Sequence, residues 1–115
     1  MRNRVWNYFE MAGRVAKSKE DRRSYYIGCV AVRNDGALVR ARNEASQVPT
    51  PYAHAEARIS TRIDHGSTVF VVRVRNNGEF GLAKPCENCM RFLRSKKVKK
   101  IYYTISSTQY GTIDG

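Results

Sequence analysis

His54-Ala55-Glu56 and Pro85-Cys86-Glu87-Asn88-Cys89 place one imidazole, two thiols and carboxylates in two short strings. Imidazole and thiolate are donors that zinc takes readily. A zinc ion that does chemistry keeps three protein ligands and one open position, whereas a structural zinc is closed by four. His54, Cys86 and Cys89 make three. If each string opens a helix, Cys86 and Cys89 at i and i+3 share one face, so both sulfurs reach a single ion. A helix N-terminus and a nearby metal also favour the thiolate, the form that binds. His54 and Glu56, two positions apart, are separated by roughly 200° on a helix of about 3.6 residues per turn. Glu56 therefore falls outside the ligand set and is placed to handle protons beside the ion. The remaining cysteine, Cys29, lies in the apolar run Ile27 to Val32, and the remaining histidine, His65, precedes Gly66 just past an expected helix end. Core packing for Cys29 and a capping or solvent role for His65 are expected; a fourth ligand from either would make the site structural.

These strings need elements to position them. Val5, Tyr8, Phe9, Ala12, Val15 and Ala16 recur at helical spacing and predict an amphipathic helix over 4–18. Tyr25 to Val32 and Ala37 to Arg42 flank Asn34-Asp35-Gly36 as the two strands of a hairpin. Residues 44–53, with Pro49, Thr50 and Pro51, form a loop that runs into His54. Ala53 to Asp64 reads as a helix closed by His65-Gly66, Thr68 to Val74 as a buried strand, and Asn76-Asn77-Gly78 as a turn. Pro85 starts a helix over Cys86 to Ser95, and Lys97 to Ile105 supplies a fourth strand. Ten residues remain after Ile105, and a parallel crossover takes about a dozen or more. A fifth strand near Gln109 to Ile113 is therefore expected to be antiparallel and hairpin-linked.

A chain of 115 residues fits one domain with a modest core. No apolar run approaches the roughly 20 residues that span a bilayer, and no signal-type segment follows Met1-Arg2-Asn3-Arg4, so a cytoplasmic protein without membrane contact is expected. Three cysteines, two of them in a Cys-x-x-Cys pair, do not make a disulfide framework and suit a reducing compartment. Lys and Arg number 21 against 10 Asp and Glu, a formal net charge of +11. The cations cluster at Arg91, Arg94, Lys96, Lys97, Lys99 and Lys100, and at Arg14, Lys17, Lys19, Arg22 and Arg23. Such clusters attract phosphate, or serve only as a solvated surface.

The pair of strings H-x-E and P-C-x-x-C is the signature of zinc-dependent base deaminases. On those residues the chain resembles the cytidine and deoxycytidylate deaminase superfamily. Asn43, 11 residues before His54, together with Gly28 and the Asn34-Asp35-Gly36 turn, extends the resemblance to nearly the whole chain. It implies a single domain over 1–115 with a three-layer α/β/α fold, a mixed sheet of four or five strands flanked by helices. It implies Zn2+ held by His54, Cys86 and Cys89, with Glu56 as the catalytic residue. Glu56 would take a proton from the attacking water, deliver it to cytosine N3 and help the amino group leave, while backbone N–H groups near Ala55 and Cys86 orient the attacking oxygen. Asn43 would bind the sugar, although an Asn at a strand end is also a turn former. Arg22 and Arg23 would take a 5′-phosphate or form a solvated loop. Tyr52 and Tyr103 would stack on the base or pack.

The resemblance is mosaic. An antiparallel fifth strand is similar to the enzymes of free nucleosides, whereas His as ligand is similar to those acting on nucleotides and nucleic acids. The leading expectation is hydrolytic deamination of cytosine in a nucleoside or nucleotide, deoxycytidylate first because of the charge and cytidine or deoxycytidine next. A rival keeps the chemistry but acts on single-stranded DNA or RNA. Adenosine deamination in tRNA is disfavoured because Asn88 stands where those enzymes carry Met, and a riboflavin-pathway deaminase because no reductase domain is present. A non-catalytic, zinc-stabilised nucleic-acid-binding module would not need Glu56, and a Cys-x-x-Cys redox protein would not need His54. Short superfamily members associate, so a homo-oligomer is expected.

Overall fold

Every residue from Val69 to Val72 is buried, which a strand achieves only when both of its faces are covered. The computed structural model of the chain describes residues 4–16, 25–42, 63–75, 78–85 and 87–114. Its elements are α1 (Arg4–Ala16), β1 (Tyr25–Val32), β2 (Leu38–Arg42), β3 (Thr68–Arg75), β4 (Phe80–Gly81), α2 (Glu87–Ser95), β5 (Lys100–Thr104) and β6 (Tyr110–Asp114). The six strands form one sheet in the order β2-β1-β3-β5-β6, with β4 paired to β3 off that path. Only β3 and β5 run parallel; the other pairs are antiparallel.

Period-two alternation divides the core between the two faces of the sheet. On one face Phe9 and Ala12 of α1 pack with Val30, Phe70, Val72 and Val74. On the other, Met90 and Leu93 of α2 pack with Cys29, Ala31, Val69, Val71 and Ile101. The result is the expected three-layer α/β/α arrangement. Phe9, Leu93 and Ile101 are fully buried, each stabilising by about 1.5–3 kcal/mol through the apolar surface it removes from water. Cys29 is a core thiol, as expected.

Two glycines allow close approach. A Cβ on Gly13 would stand 3.1 Å from Cε1 of Phe80, so α1 lies directly against the β4 ring, which also stacks on Trp6 with centroids 6.5 Å apart. A Cβ on Gly111 would fall 2.5 Å from Cζ and Oη of Tyr103, its cross-strand partner. The Tyr103 ring therefore occupies the space over Gly111, a packing role that uses the ring the sequence offered for base stacking.

Several boundaries differ from expectation. The helix expected over 53–64 lies largely outside the described residues, but Ile63 and Asp64 are not helical. Asp64 instead anchors a turn: its carboxylate accepts from the Asn34 N–H at 3.0 Å and the Ser67 hydroxyl at 2.7 Å. The strand expected from Lys97 begins only at Lys100, because Lys97 has φ of 51° and closes α2 with its N–H donated to the Arg94 carbonyl. A left-handed residue after a helix ends the coil, whereas a strand requires negative φ. The sheet also has one strand beyond the expected five, the two-residue β4. As expected, the C-terminal strand pairs antiparallel with its predecessor, with Thr104 opposite Tyr110 and Lys100 opposite Asp114. Among the described residues no helix is long and apolar enough to cross a membrane.

Candidate active site and metal centre

Strand register sends several chain ends to one end of the sheet. Tyr25, where β1 begins, pairs with Arg75, where β3 finishes. Arg42, where β2 finishes, pairs with Gly28 in the same half of β1. Thr104, the last residue of β5, lies at that end too, since β5 runs parallel to β3. Ile63 stands at the opposite end, just before β3 starts. Arg42 and Ile63 therefore stand toward opposite ends of the sheet, and α2 spans between the same two ends. Cys89 sits in the first turn of α2, while Lys97 and Lys99 at its far end bond to Gly66 and Ser67.

Cys89 is fully buried, and Leu93, four residues on, is fully buried as well. Residues at i and i+4 share a helix face, so the core anchor Leu93 turns Cys89 inward while Arg91 and Arg94 face solvent. Of the other expected site residues, His54, Ala55, Glu56, Asn43, Arg22, Arg23 and Tyr52 lie outside the described residues, as does Cys86. A buried thiol in the first turn of a helix is a donor suited to zinc, so the described part of the ligand set fits that ion.

The segment leading into α2 is held by contacts that sequence reading did not identify. Thr104 is fully buried. Its hydroxyl donates to the Gly81 carbonyl at 2.8 Å and lies 3.5 Å from the Arg73 nitrogen, a marginal acceptor contact. Its carbonyl accepts from the Ala83 N–H at 2.8 Å. This clamp stands where β3 exchanges β5 for β4 as its neighbour, beyond the last β3–β5 pair, Val71 with Tyr103. Ser107, in the β5–β6 turn, adds a second tie. Its hydroxyl accepts from the Phe80 N–H at 2.9 Å and bonds to the Glu79 carboxylate. Ala83 and Pro85 are buried as the chain passes over the sheet end toward α2. The C-terminal hairpin thus fixes the strap that delivers Cys86 and Cys89. A Thr in a short strand carries no sequence signal for such a role, because its partners lie 23 and 31 residues away.

Comparison with known proteins bears on this arrangement. Residues 3–105 match the family model of the cytidine and deoxycytidylate deaminase zinc-binding region. Among solved structures, the fold is similar to the cytidine deaminase from Mycobacterium leprae, with a TM-score of 0.59, 16% identity, and coverage of 96% of this chain and 94% of that one. It is also similar to a glutamate-to-glutamine mutant of the cytidine deaminase from Mycobacterium tuberculosis, with a TM-score of 0.55, 20% identity, and coverage of 86% and 84%.

Proposed function

Since the chain belongs to the cytidine and deoxycytidylate deaminase family and has a cytidine-deaminase-like fold, we propose that it hydrolyses cytosine to uracil in a small nucleoside or nucleotide. The observation that carries this reading is the inward-facing Cys89 thiol in the first turn of α2, at the sheet end to which β1, β2 and β3 bring their chain ends. Asn43 directly follows Arg42, and Arg22 and Arg23 closely precede Tyr25. Chain continuity therefore favours their sharing that end with Cys86 and Cys89.

His54, Cys86 and Cys89 are the proposed ligands. Zinc, when bound, supplies Lewis acidity and lowers the pKa of water toward neutrality. Glu56 removes a proton from the attacking water and delivers it to ring N3. The water oxygen bonds to C4; Glu56 then takes the second proton from that oxygen and delivers it to the amino group, so that the C4–N bond breaks, ammonia leaves and the C4 carbonyl forms. No electrons are exchanged. Backbone N–H groups of Ala55 and Cys86 orient the attacking oxygen, and Asn43 holds the sugar.

The charge of +11, with Arg22 and Arg23 before β1, favours deoxycytidylate. A second reading, the free nucleoside, is favoured by the antiparallel β5–β6 hairpin. Ammonia release from cytidine, deoxycytidine, deoxycytidine monophosphate and a cytosine-containing single-stranded oligonucleotide, with Glu56→Ala as blank, decides between them. Turnover concentrated on the monophosphate supports the phosphate-site reading, and equal or better turnover of the nucleosides supports the second. Preference for the oligonucleotide moves the substrate to a polymer. Silence on all four overturns the proposal.

A further inference from the structure

From Asn88 to Ile113 the chain contains no Asp or Glu. Into this stretch fall Arg91, Arg94, Lys96, Lys97 and Lys99, four of them exposed and Lys96 half-buried. Among the described residues the ion pairs are those of Arg33 with Asp35 and with Asp64, so none of these five cations is neutralised by a described carboxylate. The acid nearest in the chain is Glu87, one turn before Arg91 on α2; the other acids toward this face are engaged or placed elsewhere. Asp64 takes bonds from Asn34 and Ser67, and Asp114 stands opposite Lys100.

The cations project from a backbone that is held in place. The Lys96 and Lys97 N–H groups donate to Leu93 and Arg94, the Lys97 carbonyl accepts from Gly66, and the Lys99 N–H donates to the Ser67 carbonyl. Helix-end electrostatics accounts for Arg94 and Lys96. It does not account for Lys99 beyond the end, while Arg91 in mid-helix has the i+4 spacing from Glu87 that suits a helical acid–base pair. Lys97 is the most informative of the five. It holds the left-handed position after a helix where glycine is sterically favoured, with φ of 51°. A lysine stands there against backbone preference.

We propose that the outer face of α2 and the α2–β5 connection form a docking surface for the phosphodiester backbone of a nucleic acid, separate from the site that takes the base. Cys89 and Leu93 occupy the inward face of α2, so the basic face points away from the proposed metal centre. Contacts from a side chain to phosphate carry no sequence information, so binding is independent of base identity and strongly salt-dependent.

The test uses the full chain, zinc-loaded, with a fluorescein-labelled oligothymidylate of about 20 nucleotides read by anisotropy. This probe contains no cytosine, so its binding is independent of the deaminase reading. Each neutralised phosphate contributes about 0.7 to the slope of log affinity against log salt on a single strand. Replacing Arg91, Arg94, Lys97 and Lys99 by Gln is expected to reduce that slope by about 2.8. Between about 50 and 200 mM salt, the wild-type affinity then falls about 50-fold more than that of the variant. Lys97→Gly is expected to raise the thermal midpoint while lowering the slope by about 0.7, which separates charge from folding. Unchanged slopes in both variants, or no oligothymidylate binding by the wild type at low salt, would overturn the proposal. Binding to anionic phospholipid vesicles without binding to the oligonucleotide would overturn it too.

Discussion

Replacing Thr104 by Val removes one hydroxyl and leaves the shape of the side chain nearly unchanged. The carbonyl of half-buried Gly81 then loses its 2.8 Å donor, the hydroxyl of fully buried Thr104. Stranding such an acceptor costs about 1–3 kcal/mol, and the methyl that replaces the hydroxyl returns about 0.8 kcal/mol. The net loss is about 0–2 kcal/mol. At the few degrees per kcal/mol typical of a domain near this size, the melting temperature falls by up to about 10 °C. Thr104→Ser keeps the hydroxyl and loses a methyl, so its stability cost is comparable. The two variants part company at the metal. If the Thr104 hydroxyl holds the strap that delivers Cys86 and Cys89, a chromogenic chelator extracts zinc faster from the Val variant and at the wild-type rate from the Ser variant. Equal extraction rates in the two variants would refute the clamp, whatever their melting temperatures.

Four further outcomes are expected. Leu93→Ala leaves a cavity beneath α2 beside Cys89 and destabilises the fold by about 2–5 kcal/mol in denaturant titration. Gly111→Ala brings a Cβ to within 2.5 Å of the Tyr103 ring. It costs about 1–3 kcal/mol, and the effect shrinks when Tyr103 is also replaced by Ala. Hydrogen bonds from the Asn34 N–H and the Ser67 hydroxyl, aided by Arg33, hold the Asp64 pKa below its usual value of 3.8 against desolvation. Asp64 therefore contributes stability above that pH, and the contribution is lost as pH falls from about 4 toward the lower folded value; Asp64→Asn should lack this part of the acid limb in pH-dependent melting. Glu56→Ala retains zinc by mass spectrometry and loses turnover, whereas Cys86→Ala loses both.

Much of the architecture was legible because its determinants are local. The β-branched and aromatic run from Tyr25 specifies β1 to its last residue, and Asn34-Asp35-Gly36 specifies the reversal after it. The Pro85-Cys86 start and the apolar spacing of Met90 and Leu93 specify α2 and the side on which Cys89 lies. The short tail after Ile105 restricts the last strand to an antiparallel hairpin by chain length alone. The two metal strings identify the family because ligand chemistry and spacing are written in neighbouring residues.

What the tertiary structure decided rests on contacts between residues far apart in the chain. Lys97 to Lys99 have the composition of a strand start, yet Lys97 closes α2 at φ 51° while its carbonyl accepts from distant Gly66, so β5 waits until Lys100. Asp64 is non-helical, and its carboxylate accepts from the N–H of Asn34, 30 residues earlier, a contact no local pattern announces. Tyr103 was readable as aromatic but not as the cover for Gly111, a relation set by β5–β6 register. Phe80-Gly81 is too short to announce itself as a strand, and becomes one because β3 outruns β5 and leaves Arg73 and Val74 a free edge to pair. The sequence by itself determined the reactive groups and the elements that carry them. The sheet order, and with it the Thr104 and Ser107 ties on the strap to Cys86 and Cys89, followed only from the folded chain, because hydrogen bonds between distant segments have no local periodicity to reveal them.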